Sequence, residues 1–545
     1  MKLLLCALYL ITTVLCASDT SRVNIVLIIA DDLGWNDVGY HGSNQVPTPN
    51  IDALAYSGLS LQNYYVTPVC SPSRAALVTA KYPIHTGMQH SVLYGTEPRG
   101  LPLSEKILPQ YLKELGYNTH LVGKWHLGHY RKEYLPLNRG FDSHLGFWTG
   151  KIDYYDHTNQ ERGSWGHDFR RDFEVAYDLF GQYATDVYSQ EAAKIIERHN
   201  TSAPLFLMVA HSAVHSGNPY TPLRAPDHVV DSFINITDTR RRRFAGMLTK
   251  LDESVGVVVK ALQDKNMLNN SLIIFTTDNG GPANGFNDNA ASNYPLRGVK
   301  NTLWEGGVRG AGLLWSPLVE SPRRVARQRI HLADWLPTLY GAAGGDTGVF
   351  KDIDGEDLWE SLSKDLPSKR DTVVHNIDDI FGSAAITQGK WKIHKGTNYN
   401  GAWDFWYGPS GRKNQYDIRA VLESPAGRAL VALNMMPDEH TIMQIRNDAT
   451  IKCNDTLPVI VCKPLEAPCL FDIEADPCER RNLAELEPEV LESMLSLLRE
   501  VNATVVPPNN QPDDPRGDPK YWGRVFTNFR DYEMPRFIMN QQFKL

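Results

Sequence analysis

The chain has 545 residues, of which 42% are hydrophobic and 22% charged, and its formal net charge is −8. This length and composition predict a large folded protein with an extensive buried core, and they exclude wholesale disorder. The acidic balance argues against general nucleic-acid binding, which requires a basic surface, but it permits a local basic pocket that binds an anion.

The first 17 residues have the pattern of an export signal. Lys2 is followed by an apolar run over residues 3–15 and by small residues at Cys16 and Ala17. The run is too short to span a bilayer, and no later run reaches transmembrane length. We therefore expect a signal peptide over residues 1–17 and a mature protein in the secretory pathway, either lysosomal or secreted; a buried N-terminal helix or strand is the weaker alternative. Five Asn-x-Ser/Thr triplets agree with export and begin at Asn200, Asn235, Asn269, Asn454 and Asn502.

Five cysteines remain after this segment, and an odd number in an exported protein requires a reason for the unpaired thiol. Cys453, Cys462, Cys469 and Cys478 could form two disulfides, with three possible pairings. Cys70 lies far from this group in the sequence. It is therefore the candidate for a free cysteine, either an inert buried thiol or a functional one.

Apolar runs that end in polar residues alternate with helix-like stretches. The predicted strands are residues 23–30, before Asp31 and Asp32; 118–123, before Lys124 and His126; 205–210, before His211 and His215; and 272–277, before Asp278 and Asn279. The predicted helices are residues 75–81, 108–115, 185–198 and 241–262. This alternation predicts an α/β fold with a large, mostly parallel sheet between helices. Because ligands bind beyond the carboxyl ends of parallel strands, we expect the polar clusters to meet at one edge of the sheet.

The composition changes after about residue 360, which predicts a catalytic domain over residues 18–360 and a smaller C-terminal subdomain over residues 361–545. Residues 390–395 alternate and predict a strand of a smaller, antiparallel sheet. Residues 488–501 predict a late helix with Pro488 in its first turn, where no N–H is missed.

Cys70 has neighbours that suit an anion. It lies in Val69-Cys70-Ser71-Pro72-Ser73-Arg74, directly before a predicted helix. A helix N-terminus presents backbone N–H groups and a partial positive charge. Arg74, one turn further on, can hold a charged oxygen.

Two further groups of residues predict a charged site. Asp31, Asp32, Asp278 and Asn279 offer only oxygen ligands, which favour calcium or magnesium over a thiolate zinc site. Positive charge and proton donors are expected from Lys124, His126, His215 and Lys300. Each of these taken singly could be a solvated side chain, but together with a divalent cation they would attract a tetrahedral oxyanion.

Four ordered segments resemble the signatures of the type I sulfatase family: residues 31–37, 70–74, 116–126 and 277–281. The stretches 123–129, 138–145 and 153–155 are most similar to the arylsulfatase B (N-acetylgalactosamine-4-sulfatase) branch of that family. The resemblance covers nearly the whole chain after the export signal. It implies an alkaline-phosphatase-like fold, in which helices sandwich a large mixed, mostly parallel sheet, with a smaller C-terminal sheet domain.

The resemblance also implies a sulfuric ester hydrolase. A formylglycine-generating enzyme would convert Cys70 to formylglycine (3-oxoalanine), whose hydrate is the nucleophile. One calcium ion would be held by this hydrate together with Asp31, Asp32, Asp278 and Asn279. Arg74 and Lys124 would fix the hydrate, and His126 would assist it. Lys300 would grip the sulfate of a small sulfated molecule or glycan, and His215, rather than His211, would protonate the leaving oxygen.

The chain departs from the family at two places. Val78-Thr79-Ala80 stands where Leu-Thr-Gly is usual, and the family's active-site serine has no clear counterpart, although Lys151 and Asp156 lie nearby. The alternatives are a small-molecule arylsulfatase, a glucosinolate sulfatase or an inactive glycan-binding protein. A phosphatase or phosphodiesterase of the same superfamily is disfavoured, because those enzymes place Ser or Thr at the nucleophile and usually bind zinc.

Overall fold

The computed structural model describes residues 22–454, 456 and 458–533. The expected signal peptide over residues 1–17 lies outside the described residues. Within these ranges, no helix combines the length and the apolar character needed to cross a membrane.

Strands and helices alternate through the first two thirds of the chain, as the sequence predicted. The strands are β1 (Asn24–Ala30), β2 (Leu59–Tyr65), β3 (Asn118–Lys124), β4 (Ser143–Phe147), β5 (Thr158–Glu161), β6 (Ser164–His167), β7 (Arg170–Arg171), β8 (Glu174–Val175), β9 (Leu205–Ala210), β10 (Ser271–Thr277), β11 (Gly312–Trp315), β12 (Arg324–His331), β13 (Thr372–Asp378), β14 (Ser383–Gln388), β15 (Trp391–Lys395) and β16 (Cys469–Asp472). The α-helices are α1 (Pro49–Ser57), α2 (Cys70–Thr79), α3 (Leu108–Glu114), α4 (Ala184–Arg198), α5 (Asp227–Asp231), α6 (Thr239–Asp264), α7 (Glu305–Val308), α8 (Trp335–Ala342), α9 (Trp359–Lys364), α10 (Ile418–Glu423), α11 (Pro425–Ala432), α12 (Glu439–Ala449) and α13 (Pro488–Asn502).

The large sheet has ten strands in the order β12-β2-β11-β10-β1-β9-β3-β4-β7-β8. Its centre, β10-β1-β9-β3, is parallel throughout and consists of the four predicted strands. Antiparallel pairs such as β10–β11 make the sheet mixed towards its edges. The prediction of a large mixed, mostly parallel sheet is therefore confirmed.

Two layers of helices cover the sheet, because every second residue of its strands points to the same face. In β1, Val26 and Ile28 pack into the core beneath α1, α4, α6 and α11. Ile25 and Leu27 of the same strand pack into the opposite core beneath α2, α3 and α8. All residues of β1 and β10 are buried, as expected for strands covered on both faces.

Helix α2 begins earlier than the sequence indicated. The predicted helix started at residue 75, whereas the observed helix runs from Cys70 to Thr79. Pro72 is compatible with this start, because an amide hydrogen in the first helical turn has no intrahelical acceptor. The helix ends at Ala80, which has a left-handed backbone with φ 59°. As a result, residue 70 lies in the first turn of a buried helix.

The smaller sheet, β13-β14-β15-β16, is antiparallel, as predicted. Its strands pack against α13 through residues that include Ile386, Ile393 and Leu498. Two disulfides, Cys453–Cys478 and Cys462–Cys469, select one of the three pairings that the sequence allowed. The division of the chain at residue 360 stays a proposal; that residue lies within α9, whose Leu362 packs in the core of the large sheet.

Candidate active site

The polar clusters that follow the central strands meet at the carboxyl edge of the large sheet. The Nζ atom of Lys124, the last residue of β3, lies 2.7 Å from an Asp31 carboxylate oxygen at the end of β1. Asp278, which follows β10, receives a 2.9 Å hydrogen bond from Arg74 of α2. Strand order thus places residues that are distant in the sequence side by side.

Lys300 reaches the same cluster from the loop before α7. Its Nζ lies 2.5 Å from Asp32 Oδ1, and both side chains are fully buried. Burial alone would lower the pKa of Lys300, but Asp32 and its acidic neighbours raise that pKa above the ordinary value. For Asp32, burial outweighs the attraction of Lys300 and raises the carboxyl pKa to about 7.

Arg74 and Lys124 have the opposite effect on Asp31. Burial would raise the pKa of Asp31, but Lys124 and then Arg74 lower it below its usual value. Asp31 therefore stays ionised although it is fully buried, which requires that its charge be compensated by neighbouring cations.

Three buried oxygens in this cluster lack a hydrogen-bond donor among the described residues: Asp31 Oδ1, Asp32 Oδ2 and Asn279 Oδ1. The ring nitrogen Nε2 of His215 lies 3.4 Å from Asp32 Oδ2. Buried acceptors without donors are costly unless another group satisfies them. Oxygen donors of this kind suit a hard divalent cation such as calcium.

The geometry supports a cation site, but the residues that it brings together differ from the set of ligands expected from the sequence. Ligand atoms of Asp31, Asp32, Cys70 and His215 lie within 4.8 Å of one another. Asp278 lies beside this group, with Oδ1 accepting from the Asp32 backbone N–H at 3.3 Å and Oδ2 engaged by Arg74. Both oxygens of Asp278 thus have a partner in the ion-free structure.

Cys70 is 1% exposed and forms no disulfide with any described residue. Burial raises the pKa of its thiol to about 12, although Lys124 and Lys300 oppose the shift. The unmodified thiol is therefore protonated at neutral pH and is a weak nucleophile. Its position at the start of α2 exposes it to the positive end of the helix.

His126 and His215, both predicted from the sequence, border the site, and in each ring one nitrogen is hydrogen-bonded to a backbone carbonyl. His126 Nε2 lies 2.9 Å from the Leu93 carbonyl, so this nitrogen carries the proton and Nδ1 is left without a hydrogen-bond partner in the described chain. His215 Nδ1 lies 2.6 Å from the Ser216 carbonyl, which leaves Nε2 facing Asp32 and Asn287. Burial first, and then nearby lysines, holds the pKa of both rings well below the ordinary value.

His211, the alternative to His215, lies elsewhere. Its Nε2 is 3.0 Å from the Ser254 hydroxyl of α6, and burial lowers its pKa to about 3. The ring is fully buried in the helix layer behind the sheet. Of the two histidines, His215 is therefore the one that borders the site.

A cavity of about 340 Å³ opens above the cluster. Of the residues that line it, the sequence analysis named Cys70, His126, His215 and Lys151. The others follow no strand-end pattern, and the asparagine-rich loop around Asn287 was the signal that could have found part of them. Lys151 borders this cavity, whereas Asp156 is hydrogen-bonded to Tyr220 and Thr158 outside it. The lining residues are Cys70, Val92, Leu93, Tyr94, His126, Gly150, Lys151, Gln160, Glu161, Arg162, Gly163, His215, Pro219, Phe286 and Asn287.

A large mixed sheet between two helix layers, with buried carboxylates and cations beside a cavity at its strand ends, is an alkaline-phosphatase-like architecture, and such a site suits the binding of an oxyanion. The family model described as Sulfatase matches residues 23–345. The chain therefore belongs to the sulfatase family, and the protein is an enzyme that hydrolyses sulfuric esters.

Relatives and solved structures agree with this assignment. The chain is 39% identical to arylsulfatase J of Mus musculus, over 93% of this chain and 80% of that protein. It is 32% identical to N-acetylgalactosamine-6-sulfatase of Homo sapiens, over 70% of this chain and 73% of that protein. The crystal structure of Ps i-CgsB in complex with k-i-k-neocarrahexaose matches with a TM-score of 0.69 and 26% identity, covering 96% of this chain and 100% of that chain.

Proposed function

We propose that this sulfatase uses a formylglycine made from Cys70 and one calcium ion, and that it is arylsulfatase B-like in releasing sulfate from a sulfated sugar. The observation that carries the proposal is the set of unpartnered oxygens on Asp31, Asp32 and Asn279 beside a buried residue 70. A phosphatase-type serine is absent from position 70, and a buried thiol with a raised pKa is a poor nucleophile by itself.

Two groups would be added to the polypeptide. The formylglycine, as its hydrate, supplies one oxygen for attack on sulfur and a second hydroxyl through which sulfate can be expelled. Calcium, held by Asp31, Asp32, Asp278 and Asn279, supplies positive charge beside the sulfate. The ion would satisfy acceptors that lack donors in the ion-free structure.

The chain's own cations orient the reacting groups. Arg74 and Lys124, which are fixed by Asp278 and Asp31, hold an oxygen at residue 70. Lys300 is anchored by Asp32 and holds a sulfate oxygen. Because the three side chains are buried, their charges act in a water-poor site, where they stabilise developing negative charge most strongly.

The two histidines divide the proton transfers. His126 donates from Nε2 to the Leu93 carbonyl, so Nδ1 is free to accept a hydrogen bond from a hydroxyl at residue 70. His215 donates from Nδ1 to the Ser216 carbonyl, so Nε2 must carry the proton that the leaving oxygen receives. A bound sulfate favours that protonated form, because its negative charge offsets the nearby lysines.

Maturation in the secretory pathway, with lysosomal delivery or secretion, is part of the proposal. Two disulfides support an oxidising compartment. The asparagines of all five glycosylation triplets are exposed, as glycan attachment requires. A formylglycine-generating enzyme would be a partner during synthesis, and the substrate would be a sulfated glycan rather than a glucosinolate or a simple aryl sulfate.

Mass analysis of the peptide that contains residue 70 tests the nucleophile directly. We expect an aldehyde in place of the thiol in active protein. The Cys70→Ala variant should lose about 10⁴-fold or more of its sulfate-ester turnover, while its thermal unfolding temperature stays close to that of the unsubstituted protein. An unmodified thiol in a fully active preparation contradicts the mechanism.

A second variant tests whether both hydroxyls of the hydrate are required. Cys70→Ser supplies only one oxygen, so it should release one equivalent of alcohol and then stop as a stable serine sulfate ester. Continuous turnover by this variant, or hydrolysis of aryl phosphate faster than aryl sulfate by the unsubstituted protein, would refute a formylglycine-dependent sulfatase.

A further inference from the structure

Lys151 brings a positive charge to the active-site cavity, and no acidic side chain in the described part of the chain forms an ion pair with it. Its side chain is partly buried and lines the cavity. Within residues 22–454, 456 and 458–533, the Lys151 ammonium forms no ion pair and no hydrogen bond. Burial lowers its pKa, opposed by the nearby Glu161. The ammonium is reachable from the cavity, so it can pair with an anionic group of a bound ligand.

Arg162 lines the same cavity and, unlike Lys151, its charge is paired within the protein. Its guanidinium lies 3.4 Å above the ring of Tyr94. It also lies 3.4 Å from an Asp513 oxygen and 3.6 Å from a Glu97 oxygen. The charge of Arg162 is therefore neutralised by the protein, whereas that of Lys151 is not.

The backbone holds Lys151 next to the reaction centre. Gly150 packs so closely against His126 that a Cβ atom added there would lie 2.8 Å from Nε2 of that ring. Lys151 follows directly, so its Cα is fixed at the edge of the catalytic groups. Lys300 is near enough to depress the pKa of Lys151.

The sulfate that is transferred does not need this additional cation. Arg74, Lys124 and Lys300 already surround it and are each anchored by a buried aspartate. Lys151 has no such anchor among the described residues, is less buried than these three cations, and lines the cavity together with loop residues such as Phe286. Its charge is available for a part of the substrate beyond the ester that is cleaved.

We infer that Lys151 binds a second sulfate group, carried by the same sugar as the ester that is cleaved. This inference rests on the proposed function, because it names the substrate class of the same cavity. The enzyme is thereby selective for multiply anionic glycans over singly sulfated ones.

Removing the charge of Glu161 tests the inference in the opposite direction from removing that of Lys151. Its carboxylate lines the same wall and accepts a 2.5 Å hydrogen bond from the Gly95 backbone N–H. Desolvation raises the Glu161 pKa to about 7, so it carries part of a negative charge at neutral pH. That charge competes with a substrate anion for Lys151. Glu161→Gln keeps an acceptor for Gly95 and removes the competition.

The experiment compares release of the first sulfate from N-acetylgalactosamine 4-sulfate, N-acetylgalactosamine 6-sulfate and the 4,6-disulfate. For the unsubstituted enzyme we expect a higher kcat/KM on the disulfate than on either monosulfate. In Lys151→Met the ratio of disulfate to monosulfate kcat/KM should fall about tenfold, mainly through KM, as for loss of a partly buried charge contact. Lys151→Arg should retain most of the ratio, and Glu161→Gln should raise it.

Two outcomes overturn the inference: no preference for the disulfate in the unsubstituted enzyme, or an equal loss on mono- and disulfated sugars in Lys151→Met. Neither outcome contradicts the proposed function, provided that sulfate is released and residue 70 is an aldehyde. If residue 70 is an aldehyde and no sulfated sugar is turned over, the proposed sugar substrate fails instead.

Discussion

Two buried charge clusters invite comparison. The site cluster, at the edge of the large sheet, contains Asp31, Asp32, Arg74, Lys124, Asp278 and Lys300. The junction cluster lies between the two sheets and contains Glu305, Arg309, Lys392 and Glu479. Both clusters hold equal numbers of acidic and basic side chains away from water, so charge balance does not distinguish them.

The clusters differ in how completely their oxygens are used. In the junction cluster, Lys392 Nζ lies 2.9 Å from both Glu305 Oε1 and Glu479 Oε1. Glu305 Oε2 receives the Tyr65 hydroxyl at 3.1 Å, and Glu479 Oε2 receives the Glu305 backbone N–H at 2.7 Å. Each carboxylate oxygen there lies close to a cation or a donor, with Glu479 Oε1 held by its ion pair with Lys392, whereas Asp31 Oδ1 of the site cluster has neither a donor nor an ion-pair partner among the described residues. The junction cluster therefore stabilises the fold, whereas the site cluster is suited to binding a ligand.

The largest effect should follow from breaking the junction cluster. Lys392→Met leaves two buried carboxylates without their shared cation, so the free energy of unfolding should fall by about 3 to 5 kcal/mol. Lys390→Met is the matched control two residues earlier. The Lys390 side chain is half exposed, so its ion pair with Asp472 should contribute about 1 kcal/mol or less to the free energy of unfolding. Urea unfolding measures both. Equal losses in the two variants would remove the distinction between the clusters.

The next largest effect concerns the proposed proton donor His215, which lies beside the site cluster. His215→Gln should lower kcat about 10³-fold for a sugar sulfate, and much less for 4-nitrophenyl sulfate, whose leaving group needs no proton. His211→Gln, which disrupts only the contact with Ser254, should show no such dependence on the leaving group. Steady-state kinetics with both esters decide the matter. A uniform loss in His215→Gln would assign that residue a role other than general acid.

Occupation of the open oxygens should stabilise the fold more modestly. Calcium at a hundredfold excess over its Kd should add about 2.7 kcal/mol to the free energy of unfolding. Asp32→Asn should abolish this increase, whereas Asp288→Asn, which alters an exposed pair with Arg240, should preserve it. Thermal unfolding in EGTA, calcium chloride and magnesium chloride gives the comparison. Identical curves in all three solutions would count against a calcium site.

The smallest effect concerns the end of α2. Ala80 has φ 59°, a conformation that costs a non-glycine residue about 1 kcal/mol. Ala80→Gly restores the glycine usual in the family and should raise the free energy of unfolding by about 1 kcal/mol or less, since the methyl group that is lost is fully buried and its packing offsets part of the gain. Denaturant titration resolves this shift, and a destabilised variant would show that packing outweighs backbone strain.

Strand ends were the part of the site that sequence could predict. Apolar runs such as β1 and β10 have a pattern that does not depend on distant residues, and parallel pairing then brings Asp31 and Asp278 to one edge. The predicted late helix over residues 488–501 also agrees closely with α13 (Pro488–Asn502).

Features that depend on contacts between distant parts of the chain could not be predicted from the sequence. The short strand β11 is recognisable only by its antiparallel pairing with β10 and β2. Lys392 reads as one residue of an alternating strand, and its partner Glu305 lies 87 positions earlier. The pairing of Cys453 with Cys478 likewise depends on the fold that brings them together.

The depth at which Cys70 is buried has a consequence for biosynthesis. An enzyme that oxidises this residue can reach it only in a chain that has not yet folded, because the finished protein exposes 1% of it. The sheet beneath α2 cannot close until β10, which ends at Thr277, pairs with β1. At a translation rate of about 5 to 20 residues per second, the roughly 200 intervening residues take about 10 to 40 s to emerge from the ribosome. The order of strands along the chain thus limits the time available for the proposed modification of Cys70.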